Sequence, residues 1–146
     1  MKTSKLSVLI SIKQRYVESI LSGLKRAEIR RIFPNNPDVS RVYVYVPTPK
    51  RHVVGYFDIT SIERCSIDQL WKMSGHLSAL TKTEFFHYLH SKETGISIHF
   101  EDFKTLQYKP SLFDLRKQYP KFHPPQSFMY VSEAMEKFFM KGCSDS

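Results

Sequence analysis

The chain has 146 residues, the size of one ordinary domain, and its 41% hydrophobic content supports a packed core and excludes a disordered chain. Its formal net charge is +8, and residues 1–31 contain eight Lys or Arg against two Glu. This concentration disfavours polycationic partners and favours polyanions such as nucleic acid, with a solvated basic face as the simpler alternative.

Cysteine content and hydropathy exclude other classes of site. Cys65 and Cys143 form no CxxC or zinc-ligand spacing, so we expect reduced thiols, no metal and a reducing compartment. The apolar stretch 6–12 is too short for a signal peptide, and no run approaches the length of a membrane span. We therefore expect a cytoplasmic protein with no membrane contact, no cofactor and no metal.

The first part of the chain predicts a strand, a short helix and a charged strand. Residues 6–12 (LSVLISI) are apolar and β-prone, and residues 14–22 carry apolar side chains at helical spacing. Gly23 falls where a helix C-cap is needed, because glycine adopts the left-handed conformation without strain. Residues 27–31 then predict a second strand.

The middle of the chain predicts two long strands and two short helices. Residues 42–46 (VYVYV) and 53–63 alternate as strands do, and Gly55 indicates a bulge or a close backbone approach. Ser66 and Thr81 each begin a capping-box pattern, which favours a helix after each of them.

The last part returns to strands before a closing helix. Residues 96–100 alternate, 110–116 can hold one helical turn, and 126–131 follow two prolines as a last strand. Residues 132–140 predict an amphipathic helix. The whole pattern, about six strands with short inserted helices and a C-terminal helix, predicts an α+β fold built on a small mixed β-barrel.

The motifs resemble one known family. The run ILSGLKRAEIR, which ends at Arg30, follows a strand ending in Lys13 and resembles the N-terminal signature of the ASCH domain, a PUA-like superfamily. The VVGYFD stretch from Val53 resembles its central strand, and PPQSF, from Pro124 to Phe128, resembles a late signature of one prokaryotic branch. The resemblance covers about residues 6–131 and implies a β-barrel with a cleft beside the first helix, proposed to bind RNA. We expect one ASCH/PUA-like domain over residues 1–140 and a flexible tail at 141–146.

Some members of the family are hydrolases, among them acetylcytidine amidohydrolases with a Lys–Thr–Glu arrangement and others described as ribonucleases. Lys25 falls on the catalytic lysine of the amidohydrolases, Glu28 occupies their threonine position, and Ser78 stands at their glutamate position. Glu84 lies several residues away. The resemblance therefore implies Lys25 and Glu28 as catalytic residues if the chain is an enzyme, and it argues against deacetylation.

The residues themselves point to a site around the second strand. Glu28 and Arg30 share one face of a strand by its period of two, and Lys25 lies at its start. Lys25 and Arg30 can hold a phosphate, while Glu28 can accept a base amine or act as a general base. The alternative is an ion-paired rim of the barrel in which Glu28 neutralises one of the two cations.

Further candidates flank this set. Lys13 can add a phosphate contact and Tyr16 a stacking face, although core packing is an equal alternative for Tyr16. Gln126 and Ser127, which follow two prolines, can present an amide and a hydroxyl to a base edge, or can fix the loop by hydrogen bonds instead.

Three functions remain open at this point. The leading hypothesis is a nucleic-acid-binding module, with RNA the expected partner. The second is a hydrolase of RNA or of a modified nucleoside. The third is a protein-interaction adaptor that uses the edge of strand 42–46 or the aromatic C-terminal helix. The sequence does not indicate an oligomeric state.

Overall fold

The computed structural model describes residues 5–142. Within this range the strands are β1 (Leu6–Ser11), β2 (Ala27–Arg30), β3 (Val39–Val46), β4 (His52–Asp58), β5 (Ser61–Ser66), β6 (Thr94–His99), β7 (Phe103–Thr105) and β8 (Met129–Val131). The α-helices are α1 (Gln14–Leu21), α2 (Ile67–Ser74), α3 (Lys82–Tyr88), α4 (Leu112–Gln118) and α5 (Glu133–Phe139). None of these helices is long and apolar enough to cross a membrane. Of the predicted tail at 141–146, the part from Cys143 onward lies outside the described residues.

The strands form two separate sheets. The larger has the order β7-β4-β3-β1-β8 and the smaller β2-β6-β5. Strands β1 and β3 run parallel, and every other neighbouring pair is antiparallel. The predicted α+β class is confirmed. The predicted small mixed β-barrel is not confirmed, because the described strands form two separate sheets and no closed barrel.

The strand count is eight rather than the predicted six, largely because one predicted strand crosses between the sheets. Residues 53–63 were expected to form one strand, but β4 lies in the larger sheet and β5 in the smaller. The crossing occurs at two adjacent residues: the Ile59 amide donates to Ser40 O and the Thr60 amide donates to His99 O, both at 2.8 Å. Strand β7, which pairs with β4, is the other addition.

Alternation along the strands of the larger sheet separates two cores. On β3, Val42, Val44 and Val46 face the smaller sheet and pack with Ile96 and Ile98 of β6. The alternate tyrosines of β3 face the opposite side, where α4 and α5 cover them. A third, small core lies between β2 and the helices α2 and α3. The order of layers is therefore α4 and α5, the larger sheet, the smaller sheet, and α2 and α3.

The predicted close approach at Gly55 is present. A Cβ atom on Gly55 would lie 2.5 Å from both the carbonyl oxygen of Lys104 and the ring of Phe103 on β7. The register of β3 against β4 shifts beside this point, between Val44 and Tyr45. Glycine is needed here because any side chain would push β7 off the sheet.

The two surfaces expected for a protein-interaction adaptor are both covered. Residues 42–46 belong to β3, which is paired on one side with β1 and on the other with β4, so they offer no free edge. On α5, Phe139 is fully buried and Phe138 is half-buried against Tyr108 and Tyr119. The aromatic helix is therefore part of the core.

One carboxylate fastens α5 to the larger sheet. Glu136 Oε2 accepts a hydrogen bond from the Tyr43 hydroxyl at 2.8 Å and another from Ser7 Oγ at 2.9 Å. Burial, together with the hydrogen bond to Glu136, raises the pKa of the Tyr43 phenol. Two neutral donors thus depend on a single charged acceptor.

We expect Glu136→Ala to lower the free energy of unfolding by about 1–3 kcal/mol, because Tyr43 and Ser7 would lose their acceptor in a partly buried place. The measurement is urea denaturation followed by circular dichroism. Glu133→Ala, an exposed change on the same helix, is the control and should cost less. Equal losses in the two variants would show that Glu136 acts only through helix propensity.

His99 predicts a pH dependence of stability. Its Nε2 lies 3.2 Å from both Ser74 Oγ and Ser97 Oγ, and burial lowers the pKa of the imidazole from its ordinary value of 6.5. The unfolded chain therefore binds a proton at a higher pH than the folded chain does, so the stabilisation present above pH 6.5 is lost as the pH falls below it. The loss should be smaller in His99→Gln when the two proteins are unfolded across this range. An identical pH profile would exclude His99 as the source.

Candidate functional site

A glycine turn brings Lys25 beneath α1. Helix α1 ends at Leu21, and Gly23 takes a φ of +86°, a left-handed conformation that glycine adopts without strain. The amides of Leu24 and Lys25 then both donate to Ser19 O, at 2.9 and 3.0 Å. This tight reversal folds the chain back along the helix, so that Lys25 enters the protein interior immediately before β2.

The Lys25 ammonium is buried and fully engaged. The residue is 3% exposed, and its Nζ donates to Ala27 O at 3.0 Å and to Ser78 O at 2.7 Å. Its third contact is Glu28 Oε1, at 3.1 Å. An ammonium group has three N–H donors, and these three acceptors occupy all of them. Ser78 thus lies beside Lys25 but offers its backbone carbonyl.

Glu28 joins Lys25 to Arg30. Strand β2 directs Ile29 into the small core against α2 and α3, which by the strand period of two places Glu28 and Arg30 on the opposite face. Glu28 Oε2 lies 3.1 Å from Arg30 Nη1, so each oxygen of this carboxylate meets a different cation. The three residues, each less than 9% exposed, form a buried network with a formal charge of +1.

Arg30 connects β2 to the larger sheet. Its Nη1 donates to Ser11 O at the end of β1, at 3.2 Å. Its Nη2 donates to Ser127 O at 2.9 Å and, more weakly, to Gln126 O at 3.5 Å. The loop that follows the two prolines is therefore held by its carbonyl oxygens, and its contribution to this network comes from the backbone.

A cavity of about 290 Å³ opens above Lys25 and Glu28. Its walls are α1 on one side and α3 with the segment before it on the other. The residues that line it include Lys13, Arg15, Tyr16, Glu84, His87 and Tyr88.

The α1 wall carries two cations and an aromatic ring. Lys13 is exposed at the start of the helix. Arg15 Nη2 donates to the Tyr16 hydroxyl at 2.7 Å, and the guanidinium carbon lies 4.6 Å from the centre of the Tyr16 ring. Lys25 Nζ lies 5.4 Å from the same centre. The ring of Tyr16 thus lies within cation–π distance of one exposed and one buried cation.

The α3 wall adds a carboxylate and a second phenol. Glu84 Oε1 accepts the Thr81 amide in a capping box, and its Oε2 lies 3.8 Å from Arg15 Nη2. The Thr81 amide is the main cause of the lowered pKa of Glu84. Tyr88 is 36% exposed as a whole, and desolvation of its hydroxyl raises the pKa of the phenol. Within residues 5–142 no cluster of three or more His, Cys, Asp or Glu could hold a metal ion.

The structure brings four of the seven predicted residues to the cavity: Lys13, Tyr16, Lys25 and Glu28. Arg30 lies behind Glu28, and the side chains of Gln126 and Ser127 do not line the cavity. The ion-paired arrangement weighed for Glu28 is present, with both cations rather than one.

Sequence reasoning missed the cavity residues Arg15, Glu84, His87 and Tyr88. The sequence could have indicated Arg15, because it lies between Lys13 and Tyr16, two predicted site residues. The three on α3 carried no such signal, because only the packing of α3 against β2 brings them to the site.

Comparison with known proteins gives consistent results. The ASCH domain family model matches residues 10–134. An ASCH domain-containing ribonuclease of Zymomonas mobilis is 24% identical over 123 residues, which cover 84% of this chain and 82% of that protein. Two crystal structures of ASCH variants from the same organism share the fold. For a Ser-to-Ala variant the TM-score is 0.84 at 21% sequence identity, and the match covers 94% of this chain and 96% of that chain. For a Tyr-to-Phe variant the TM-score is 0.85 at 23% identity, and the match covers 94% of this chain and 99% of that chain.

We expect Lys25→Met to lower the free energy of unfolding by about 3–5 kcal/mol, because it leaves a buried carboxylate with one cation fewer and two carbonyls without a donor. Lys13→Met, on an exposed lysine of the same wall, should have little effect. Chemical denaturation measures both, and a loss for Lys25→Met as small as that for Lys13→Met would contradict the network.

The double variant Lys25→Met/Glu28→Gln tests the coupling. Removing both charges should cost less than the sum of the two single changes, because Glu28 is then no longer a buried charge with an incomplete set of partners. Strictly additive losses would show that Lys25 and Glu28 act independently.

Proposed function

The chain belongs to the ASCH family, and we propose that it binds single-stranded RNA by taking one base into the cavity between α1 and α3. The observation that carries this proposal is the buried Glu28 carboxylate, which is fixed by Lys25 and Arg30 at the floor of a cavity whose mouth is basic and aromatic.

Glu28 supplies the base-reading group in this proposal. Each carboxylate oxygen has more than one acceptor site, and the contacts to Lys25 and Arg30 use one on each side. The remaining sites accept N–H groups, so Glu28 suits a base that presents an exocyclic amine. Because the two cations hold the carboxylate in one orientation, the base meets an acceptor that is already positioned.

The mouth of the cavity supplies the other two contacts that RNA needs. Lys13 is exposed and Arg15 is 63% exposed in its side chain, so both can approach a phosphate. Tyr16 and Tyr88 stand on opposite walls as stacking surfaces for a base. Single-stranded RNA is recognised in this way, with unstacked bases held on aromatic rings and read along their edges.

The contacts of Lys25 favour binding over a reaction that this lysine performs. Its three donors are occupied by intramolecular acceptors, so a direct contact with a scissile group would require one of them to be released. In the proposed site Lys25 and Arg30 are positioning residues for Glu28.

Hydrolysis of RNA is the second candidate, because the relative from Zymomonas mobilis is named a ribonuclease. Here Glu28 would act as a general base toward a ribose hydroxyl or a water molecule. A second carboxylate, Glu84, lines the same cavity but is engaged by the Thr81 amide and faces Arg15. Binding of the RNA strand is a requirement of both candidates.

We expect Lys13→Ala/Arg15→Ala to weaken the binding of a labelled mixed-sequence RNA and to reduce the salt dependence of the association constant. Each phosphate contact with a single strand contributes about 0.7 to the slope of log K against log salt, so loss of two should lower the slope by about 1.4. Fluorescence anisotropy over a salt series measures both quantities. Lys72→Ala, an exposed change on α2 outside the cavity, is the control and should leave the slope unchanged.

The variant Glu28→Gln separates the two candidates without removing the side chain. A carboxylate only accepts hydrogen bonds whereas an amide also donates them, so the binding module predicts intact RNA and a changed base preference. Shortened RNA that appears with the unaltered protein and not with Glu28→Gln would favour hydrolysis instead. Affinity that is independent of salt, or equal in all four proteins, would refute the proposed site.

A further inference from the structure

A second depression lies on the other side of α1. It has a volume of about 380 Å³, and its α1 wall is formed by Gln14, Val17 and Leu21. Its opposite wall comes from the turn after β3 and from strands β4 and β7. The helix that forms one wall of the cavity above Glu28 is thus also a wall of this groove.

The charge of this groove has one sign. Lys50, His52 and Lys109 line it, and a neighbouring depression that shares Lys50 adds Arg51 and Arg116. Among the described residues that line the two depressions there is no Asp or Glu. Such a continuous basic track attracts a polyanion and repels a polycation.

Two backbone hydrogen bonds hold this basic track together. The Val53 amide donates to Pro110 O at 3.0 Å, and the Leu112 amide donates to Arg51 O at 2.8 Å. Together these two bonds make the isolated antiparallel β-bridge between His52 and Ser111. The turn that carries Lys50 and Arg51 is therefore fixed against the segment that carries Lys109 and α4, so these cations project from neighbouring backbone segments.

An exposed aromatic ring lies beside the cations. Phe113, on the first turn of α4, is 70% exposed, and Lys117 Nζ lies 5.0 Å from the centre of its ring. The neighbouring carboxylate of Asp114 is engaged by the Tyr108 hydroxyl and the Ser111 amide. An exposed phenyl ring among basic side chains provides a stacking surface for a nucleobase, and burying it in this way removes apolar surface from water.

We infer that the groove of Lys50 and Lys109, with Phe113 beyond it, binds the part of a single-stranded RNA that continues past the cavity. The inference rests on the proposed function, because it extends the same strand across α1. The groove would hold phosphates through its cations and one base through Phe113, and would contribute affinity without reading sequence. An acidic peptide is less suitable, because it offers no flat ring system for Phe113.

The test compares two labelled RNAs of about 4 and about 16 nucleotides, the range of strand lengths that single modules occupy. We expect Lys50→Ala/Lys109→Ala to weaken binding of the longer RNA about tenfold and to lower its salt slope by about 1.4. Phe113→Ala should weaken it at least about fivefold, the low end for loss of one stacked base. Neither variant should alter binding of the shorter RNA, and Lys72→Ala should alter neither.

The outcomes separate this inference from the proposed function. If the longer RNA is sensitive to Lys13→Ala/Arg15→Ala but not to the groove variants, the inference fails and the proposed cavity stands. If it is sensitive to the groove variants alone, the groove stands as an RNA-binding surface, but the cavity is overturned as an RNA site and the continuation of one strand across α1 is overturned with it. If neither RNA binds, or if a poly-glutamate peptide binds in its place and loses affinity in the groove variants, the inference is overturned.

Discussion

The fold depends on a charged network in a place where charges are costly. Lys25, Glu28 and Arg30 are almost fully buried, and taking three ionised groups out of water is unfavourable unless every donor finds an acceptor. Besides Glu28, Lys25 Nζ and the two terminal nitrogens of Arg30 find backbone carbonyls from three separate segments, at Ser11, Ser78 and Ser127. The network therefore specifies how the smaller sheet, the larger sheet and the segment before α3 are oriented relative to one another. Apolar contacts alone are not directional and do not specify this orientation.

This structural role and the proposed binding role use the same geometry. Lys25 and Arg30 use their N–H donors in contacts within the protein. Each of them contacts one oxygen of Glu28, so this carboxylate is held in one orientation at the floor of the cavity. The network carries a formal charge of +1, the same sign as Lys13 and Arg15 at the mouth of the cavity. An ion-paired rim and a ligand site are thus not competing interpretations of these residues.

Local patterns predicted most elements because local physics decides them. Strands β1, β2 and β6, helix α1 and the turn at Gly23 follow from alternation, helical spacing and the conformational freedom of glycine. Non-local contacts decided the rest. The alternation of Phe57, Asp58, Ile59 and Thr60 changes phase at Ser61 and Ile62, next to the passage from one sheet to the other, but no Gly or Pro interrupts the run there, so it was predicted as one strand of a small barrel. In the same way, Lys25 and Glu28 were found from spacing, whereas Tyr88 reaches the site only through packing of α3.

The helix α1 gives a physical reason for two binding surfaces on so small a domain. With 3.6 residues per turn, neighbouring positions point in different directions, so Tyr16 lies toward the cavity while Val17 and Leu21 lie toward the groove. Leu21 is 59% exposed and forms part of the groove wall. The two sides also differ in chemistry: one contains a buried, oriented acceptor and the other only exposed cations and a phenyl ring. An RNA strand that crosses α1 would accordingly have one base recognised in the cavity, while the groove on the other side would bind it without sequence recognition.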